Sequence, residues 1–577
     1  MVLLVKIGKK GGGWVDVIVK GKRLFLVRCL IMTISLAALF TGGGCSGSIE
    51  TSQDSEVSSI TAYVQWAATT TFGTWKGWAA ERLSEETGLQ VDFYPAGSQT
   101  ENQLKQYMAS GTLPDIIGFE GVEQAQIFID AGLLLPLRDY EESLPSIFSG
   151  TLYDKAVTYS ENYLGGESNS LLLMPVAVGW VDEDDFAYLP MLRWQSFEAV
   201  GKPTVDTLED YLDIVEEMIK VTPISSNGEK MYGFSLSGEW DKYALADAAA
   251  LGYLYGIDIV RFSPLMETDL EAKTTNSILR EDSFYKKALA FYFEANQRGL
   301  LDPDSRNQTS RNQEKKYEQG QVMFAYSCEM VKMYNESASE VAGYLRQPDG
   351  YVPIVARDMM IYKVSNQTIG NNQYFGIINS SDKVNEACSF LNWYYAPETQ
   401  RFLYNGPYGE YWETDDNGEP FMNRTGWEQR NGKLKEGVAA FRDMGLLGTY
   451  VMEDGYSLSY QYWDASGTHT KLDEEVNSFL GADSISDYLK DNGQIAESTI
   501  AVNMLPSIPT DVGKKISQVG NLVCSASWEM IYASDAEEFE RIWETLCTQA
   551  SELGMEEIET FYQTAWKQAL KRSKSYE

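Results

Sequence analysis

Between residues 60 and 120 the apolar positions switch period repeatedly. Ile60-Thr61-Ala62-Tyr63-Val64 is rich in β-branched and aromatic residues and reads as a strand. Trp75, Trp78, Ala79 and Leu83 then recur at helical spacing in TWKGWAAERLSEETG, and Gly88 supplies a helix stop. Leu89, Val91 and Phe93 alternate with polar residues as a second strand. Leu104, Tyr107 and Met108 mark a helix closed by Gly111, and Pro114-Asp115-Ile116-Ile117-Gly118-Phe119 enters a third strand. This β-α-β-α-β order predicts an α/β fold with a parallel sheet covered by helices, whose ligands bind beyond the carboxyl ends of the strands. Trp66 and Phe119-Glu120 sit just past two such ends.

Farther along, Thr207-Leu208-Glu209-Asp210 resembles a capping box leading into Leu208, Tyr211, Leu212, Val215 and Ile219. The last hundred residues read as mainly helical, with Phe539, Ile542, Trp543 and Leu546 on one face. No period of 20–50 residues repeats, which argues against a solenoid or propeller.

The N-terminus reads as an address. Lys6, Lys9, Lys10, Lys20, Lys22, Arg23 and Arg28 stand against the single acid Asp16, and the uncharged run Cys29–Phe40 follows. Twelve residues at ~1.5 Å each cannot cross a hydrocarbon core of ~30 Å, so the run fits a secretory signal better than a membrane span. Thr41-Gly42-Gly43-Gly44-Cys45-Ser46 resembles a bacterial lipoprotein processing site, with Gly42 where Leu is usual. Residues 1–44 are therefore expected to be a signal peptide and Cys45 the lipidated first residue, carrying palmitate-type acyl chains. The Ser-rich stretch of 45–59 is expected to be a flexible tether.

Composition narrows the function. A length of 577 residues requires two or more compact units, and 44% hydrophobic with 23% charged residues is that of a globular chain. The formal net charge of −36 argues against nucleic acid and against adsorption to an anionic bilayer through a basic patch. The lone His469 rules out schemes needing two imidazoles and multi-His metal sites, and no cofactor or metal is expected. Cys328, Cys388, Cys524 and Cys547 allow three disulfide pairings or four buried thiols. The acidic stretch Asp182-Glu183-Asp184-Asp185 reads as a solvated turn, since no Gly-containing calcium-loop pattern follows.

The order of motifs then becomes recognisable. Trp78–Phe119, with its helix, T-G, strand, helix and ASG-x-x-PDI, resembles the N-terminal signature of family 1 extracellular solute-binding proteins. Six further segments occur in that family's order, from Ala131-Gly132-Leu133 through Arg298-Gly299-Leu300-Leu301-Asp302-Pro303 to Glu386-Ala387-Cys388-Ser389-Phe390-Leu391. Asn405-Gly406-Pro407-Tyr408-Gly409-Glu410-Tyr411-Trp412 is similar to the subgroup of large Gram-positive lipoproteins typified by the LipO protein.

The resemblance implies a two-lobe periplasmic-binding-protein-like fold of type II, with discontinuous lobes, a hinge and an interlobe cleft. The first lobe is expected to comprise 60–175 and 364–420, and the second 176–363 and 421–577. The crossings are expected near Pro175, Asp358–Lys363 and Trp412–Asn423. The implied function is capture of a carbohydrate, an oligosaccharide, by a monomer anchored to the outer face of the cytoplasmic membrane, and its delivery to ABC transporter permease subunits. No catalysis is implied. The rivals are a secreted polysaccharide-active hydrolase or lyase and a surface ligand sensor; a nucleophile elbow, P-loop and HExxH are absent from the sequence.

A sugar cleft needs aromatic platforms for ring faces and charged or amide groups for hydroxyls, on loops at strand ends. Those criteria select Trp66, Glu120, Trp180, Arg193, Trp240, Asp241, Tyr326 and Trp412. Packing is the alternative role of each, and Trp75 and Trp78, on a helical stripe, are assigned to the core.

Overall fold

A computed structural model describes residues 3–10, 13–19, 58–66, 72–95, 100–181, 186–342, 349–430, 444–463 and 471–577. The apolar run Cys29–Phe40, Cys45, Asp182–Asp185 and His469 lie outside the described residues. Residues 1–56 form one compact unit and 57–577 another. In the first, the basic stretch pairs as an antiparallel hairpin of Leu3–Lys10 with Gly13–Val19.

The predicted β-α-β-α-β order is present in the second unit. Ser58–Val64 pairs in parallel with Leu89–Phe93 on one side and Ile116–Glu120 on the other. Gln373–Ile377 then adds antiparallel to Ile116–Glu120, and Met174–Pro175 closes a six-stranded sheet whose far edge is Gly73–Thr74. The strands alternate between two cores, as the strand period requires. Ile60, Ala62 and Val64 join Phe375 and Leu391 on one face; Tyr63, Ile117 and Phe119 join Phe128 and Tyr374 on the other.

Helix Trp78–Thr87 ends at Gly88, whose φ of 71° is the left-handed conformation that lets its N–H bond Ser84 O at 2.9 Å. Trp75 does not belong to that helix. Gly77, at φ 94°, breaks the chain before Trp78, and Trp75 is buried edge-on against Phe93 and Trp393.

The second sheet is built on Tyr188–Arg193, flanked antiparallel by Phe324–Ser327 and Tyr351–Pro353. Parallel bridges Tyr232–Val322 and Phe234–Leu301 widen it. Its core takes Leu192, Phe234 and Phe324 from the sheet, with Tyr211 and Val215 of helix Asp210–Val221, and Phe291 and Tyr292 of helix Phe284–Gln297. At the start of Asp210–Val221 the expected capping box works through one half only: Asp210 Oδ2 accepts from Thr207 N at 2.9 Å and Asp206 N at 2.8 Å.

Residues 421–577, read from sequence as one stretch of the second lobe, contribute to the three largest cores. Met444, Leu446 and Leu458 pack in the first-lobe core with Phe375. Helix Met555–Ser573 places Ile558 and Tyr562 in the second-lobe core, then Trp566 and Ala569 in the cluster that also holds Phe119 and Phe128, and the Trp566 indole donates to Lys273 O at 3.0 Å.

The crossings are short and hydrogen-bonded to one another. Val176 N donates to Gln373 O, Asn371 N to Val176 O, and Gly179 and Gln367 exchange both backbone bonds at 2.9 and 3.1 Å. A third segment joins them: Ala177 N donates to Met444 O, Val178 N to Gly445 O, and Leu447 N to Val178 O. The Trp412–Thr414 and Pro420–Met422 strands, expected to be a crossing, form a hairpin instead. Tyr411, just before it, meets the Trp78 ring of the first lobe at 6.3 Å.

Candidate ligand-binding site

Topology fixes which end of each sheet meets the crossings. Tyr188 opens its strand soon after the first crossing, so that end of the second sheet faces the first lobe. The neighbouring strands run the other way, which puts their carboxyl ends, Ser237 after Leu236 and Ser327, at the same end. In the first lobe, Gln373 arrives from the second crossing and pairs directly with Glu120, the last residue of its strand. The strand ends that meet the crossings therefore carry Gln65-Trp66 and Glu120 in the first lobe, and Tyr326 and the Ser237–Asp241 turn in the second.

Of the residues picked from sequence, Trp180 and Trp240 stand out to solvent, 53% and 73% exposed. Trp180 lies in the first crossing, and its carbonyl accepts a hydrogen bond from Thr449 Oγ1. Trp240 ends the one-turn helix Gly238–Trp240. Glu120 is exposed at its strand end; its N–H is held by Gln65 Oε1 at 2.7 Å, and Gln65 Nε2 binds Gln124. Trp66 is a wall rather than an open platform. It is 5% exposed and meets Phe375 edge-on at 5.1 Å, with Gly118 beneath it where a Cβ would come within 2.8 Å of the ring.

Arg193 belongs elsewhere. It is the last residue of Tyr188–Arg193 and so lies at the end of the sheet away from the crossings. Its guanidinium pairs with Asp349 at 2.9 Å, donates to Gly320 O at 2.6 Å and stacks on Tyr334 at 4.6 Å. Those contacts fix a turn of the second lobe and leave no role in the cleft.

Asp241 and Tyr326 are at the interlobe end, but their polar atoms turn into the protein. Asp241 accepts from Ala246 N at 2.8 Å and Trp528 Nε1 at 2.7 Å, and burial pushes its carboxyl up from the usual range. Tyr326 Oη donates to Asp247 Oδ1 at 2.6 Å. Asp247, buried at the start of helix Ala246–Ala250, also accepts from Ser237 N at 2.7 Å, and burial pushes it up to about 6. Trp412 donates its indole N–H to Gly406 O at 3.0 Å and stacks against Arg401, which lies 5.0 Å from its ring and 5.7 Å from Trp463.

Sequence reasoning missed Gln65, Asp247 and Trp528. Asp247 left a signal: it is the single charge in Ala244–Gly256, a stretch otherwise apolar, small or aromatic. A charge in such a run is buried and therefore partnered. The four cysteines outside the N-terminal segment are free thiols, and Cys388 is buried.

Two α/β lobes, exchanging chain through the crossing segments at 176–179 and 367–373, define the class of periplasmic-binding-protein-like solute-binding proteins. The sequence profile of the family described as bacterial extracellular solute-binding protein matches residues 66–401, and the chain belongs to that family. Solved structures share the fold. The alginate-binding protein AlgQ2, crystallised without calcium ion, has a TM-score of 0.60 at 12% identity over 89% of this chain and 98% of its own. A solute-binding protein described as HMO-binding and ABC-transporter-associated, from Bifidobacterium longum infantis, has 0.61 at 14% identity over 88% and 98%. FusA, an ABC-transporter substrate-binding protein of S. pneumoniae in complex with kestose, has 0.59 at 13% identity over 89% and 100%. No curated protein sequence matches the chain. Among the described residues no helix is long and apolar enough to cross a membrane.

Proposed function

We propose that this protein captures an oligosaccharide between its lobes and delivers it to the permease subunits of an ABC transporter, held to the outer face of the cytoplasmic membrane by a lipidated Cys45. The observation that carries the reading is the pair of exposed indoles, Trp180 in the crossing and Trp240 at the strand end of the second lobe. An exposed Trp offers a flat apolar face with a polar edge, the surface a sugar ring stacks on, and its low entropy of immobilisation suits a binding platform. Glu120 supplies a carboxylate for hydroxyls, and Trp66 a rigid wall behind it. The ligands named for structural neighbours, alginate and kestose among them, are carbohydrates. The lobes close about 176–179, 367–373 and 444–447, and ligand shifts the population to the closed state.

The test is calorimetric titration of the tether-free protein (residues 58–577) with neutral fructo-, gluco- and galacto-oligosaccharides and with oligouronates, followed by analysis of the recovered sugars. Saturable binding with the sugar recovered intact is the expected result. New reducing ends or unsaturated products would replace this reading with the polysaccharide-active enzyme, and absence of binding across the panel would remove the carbohydrate.

A further inference from the structure

Among the described residues of the second lobe Trp240 is the most exposed large apolar side chain, yet the turn that carries it is held tightly from beneath. Glu239 Oε2 accepts from Ser310 N and Oγ, both at 2.7 Å. Asp241 is bound to Ala246 N and Trp528 Nε1. Ser237, the residue that opens the turn, gives its N–H to Asp247 Oδ2 at 2.7 Å. The other oxygen of Asp247 takes the Tyr326 hydroxyl at 2.6 Å and Gln313 Nε2 at 3.3 Å. One buried carboxylate thus joins the strand Phe324–Ser327, the helix Ser310–Glu318 and the turn beneath Trp240.

Every group converging on that carboxylate is a donor. An ionised carboxylate accepts from all three; a protonated one must donate its own hydrogen, and the Tyr326 hydroxyl, reversed to accept, is the one of the three that can take it. The other ionisable groups facing Asp247 are Asp241 on the turn, Tyr292 on helix Phe284–Gln297, Tyr317 on helix Ser310–Glu318 and Tyr326 itself. None is a cation that would hold the charge at low pH. The nearby Lys316 is engaged by Asp302 at 2.6 Å and Asp304 at 2.9 Å.

We propose that Asp247 is a positioning residue for ligand capture, its ionised carboxylate locking the turn that presents Trp240. The site then holds its aromatic platform through that network at neutral pH, and protonation of Asp247 rearranges the hydrogen bonds beneath it. This rests on the reading of Trp240 as a sugar platform. Burial raises the Asp247 carboxyl to about 6, so the rearrangement falls between neutral pH and mild acid.

The experiment uses residues 58–577 labelled with 5-fluorotryptophan, with the Trp240 fluorine resonance assigned through Trp240→Phe and followed without ligand from pH 8 to 4.5. The expected result is a shift or broadening of that resonance with a midpoint near 6. Asp247→Asn should abolish the pH response and displace the resonance at pH 8. Tyr326→Phe, which removes one donor, should move the midpoint to higher pH. A Trp240 resonance that is pH-invariant in the unmutated protein and unmoved in both variants would overturn the inference. Failure of the underlying reading has a different signature: Trp240→Ala would bind oligosaccharide with unchanged affinity whatever the fluorine spectrum shows.

Discussion

Arg193 and Asp349 form an ion pair of 2.9 Å with side chains only 11% and 14% exposed, bracketed by the rings of Tyr334 and Tyr351. A pair so shielded stabilises its surroundings only while both partners are present, because removing one leaves an uncompensated charge. Arg193→Ala is therefore expected to lower unfolding stability by about 3 kcal/mol. Chemical denaturation measures this. Oligosaccharide affinity, read on the folded fraction by calorimetry, should stay within about twofold.

The converse holds for the exposed indoles. Trp240→Ala and Trp180→Ala remove side chains that are mostly in water, so unfolding stability should change by less than about 0.5 kcal/mol. Each should weaken oligosaccharide binding by about 2 kcal/mol, or roughly 30-fold, the size of an aromatic hot spot. Paired calorimetry and denaturation on the two variants check the separation.

Gly370 sits in the second crossing at φ 82°, where an added Cβ would come within 2.5 Å of Val176 O in the first. Gly370→Ala must both strain the backbone and separate the two crossings. Loss of stability of about 2 kcal/mol or more is expected, together with weakened ligand binding, since closure turns on these segments. A variant with normal stability and normal affinity would show that 370 is not part of the hinge.

Glu267 predicts a pH effect. Its carboxylate accepts from Phe284 N at 3.0 Å at the start of helix Phe284–Gln297, and burial pushes it up to about 7. The folded state thus holds this proton more tightly than the unfolded chain does. Its contribution to stability is present at low pH and is lost as pH rises through about 7. Glu267→Gln, which stays neutral, should gain thermal stability relative to the unmodified protein between pH 5.5 and 8. Melting curves across that range measure the widening gap.

Much of this architecture was legible locally. The strands around Ile60, Val91 and Ile117 carry the period of a sheet, and Gly88 and Gly111 end helices because they alone adopt left-handed backbone cheaply. Trp75 reads as part of the following helix because helical spacing continues across Gly77, where the chain turns. The distant relationships were not legible. Arg193 reads like a cleft cation until Asp349, 156 residues away, is seen to hold it. Tyr326 reads from sequence as a strand-end residue, but the partner that turns its hydroxyl inward lies 79 residues earlier. Helix Met555–Ser573 shows one apolar stripe, Ile558, Tyr562, Trp566 and Ala569, and nothing in that stripe tells that its two halves join different cores.

The most direct test of capture between two lobes is small-angle X-ray scattering of residues 58–577, with and without a saturating oligosaccharide identified by titration. The account predicts a smaller radius of gyration in the bound state, and no such change for Gly370→Ala at the same concentration. An unchanged radius of gyration in the unmutated protein, at a sugar concentration that calorimetry shows to be saturating, would contradict it.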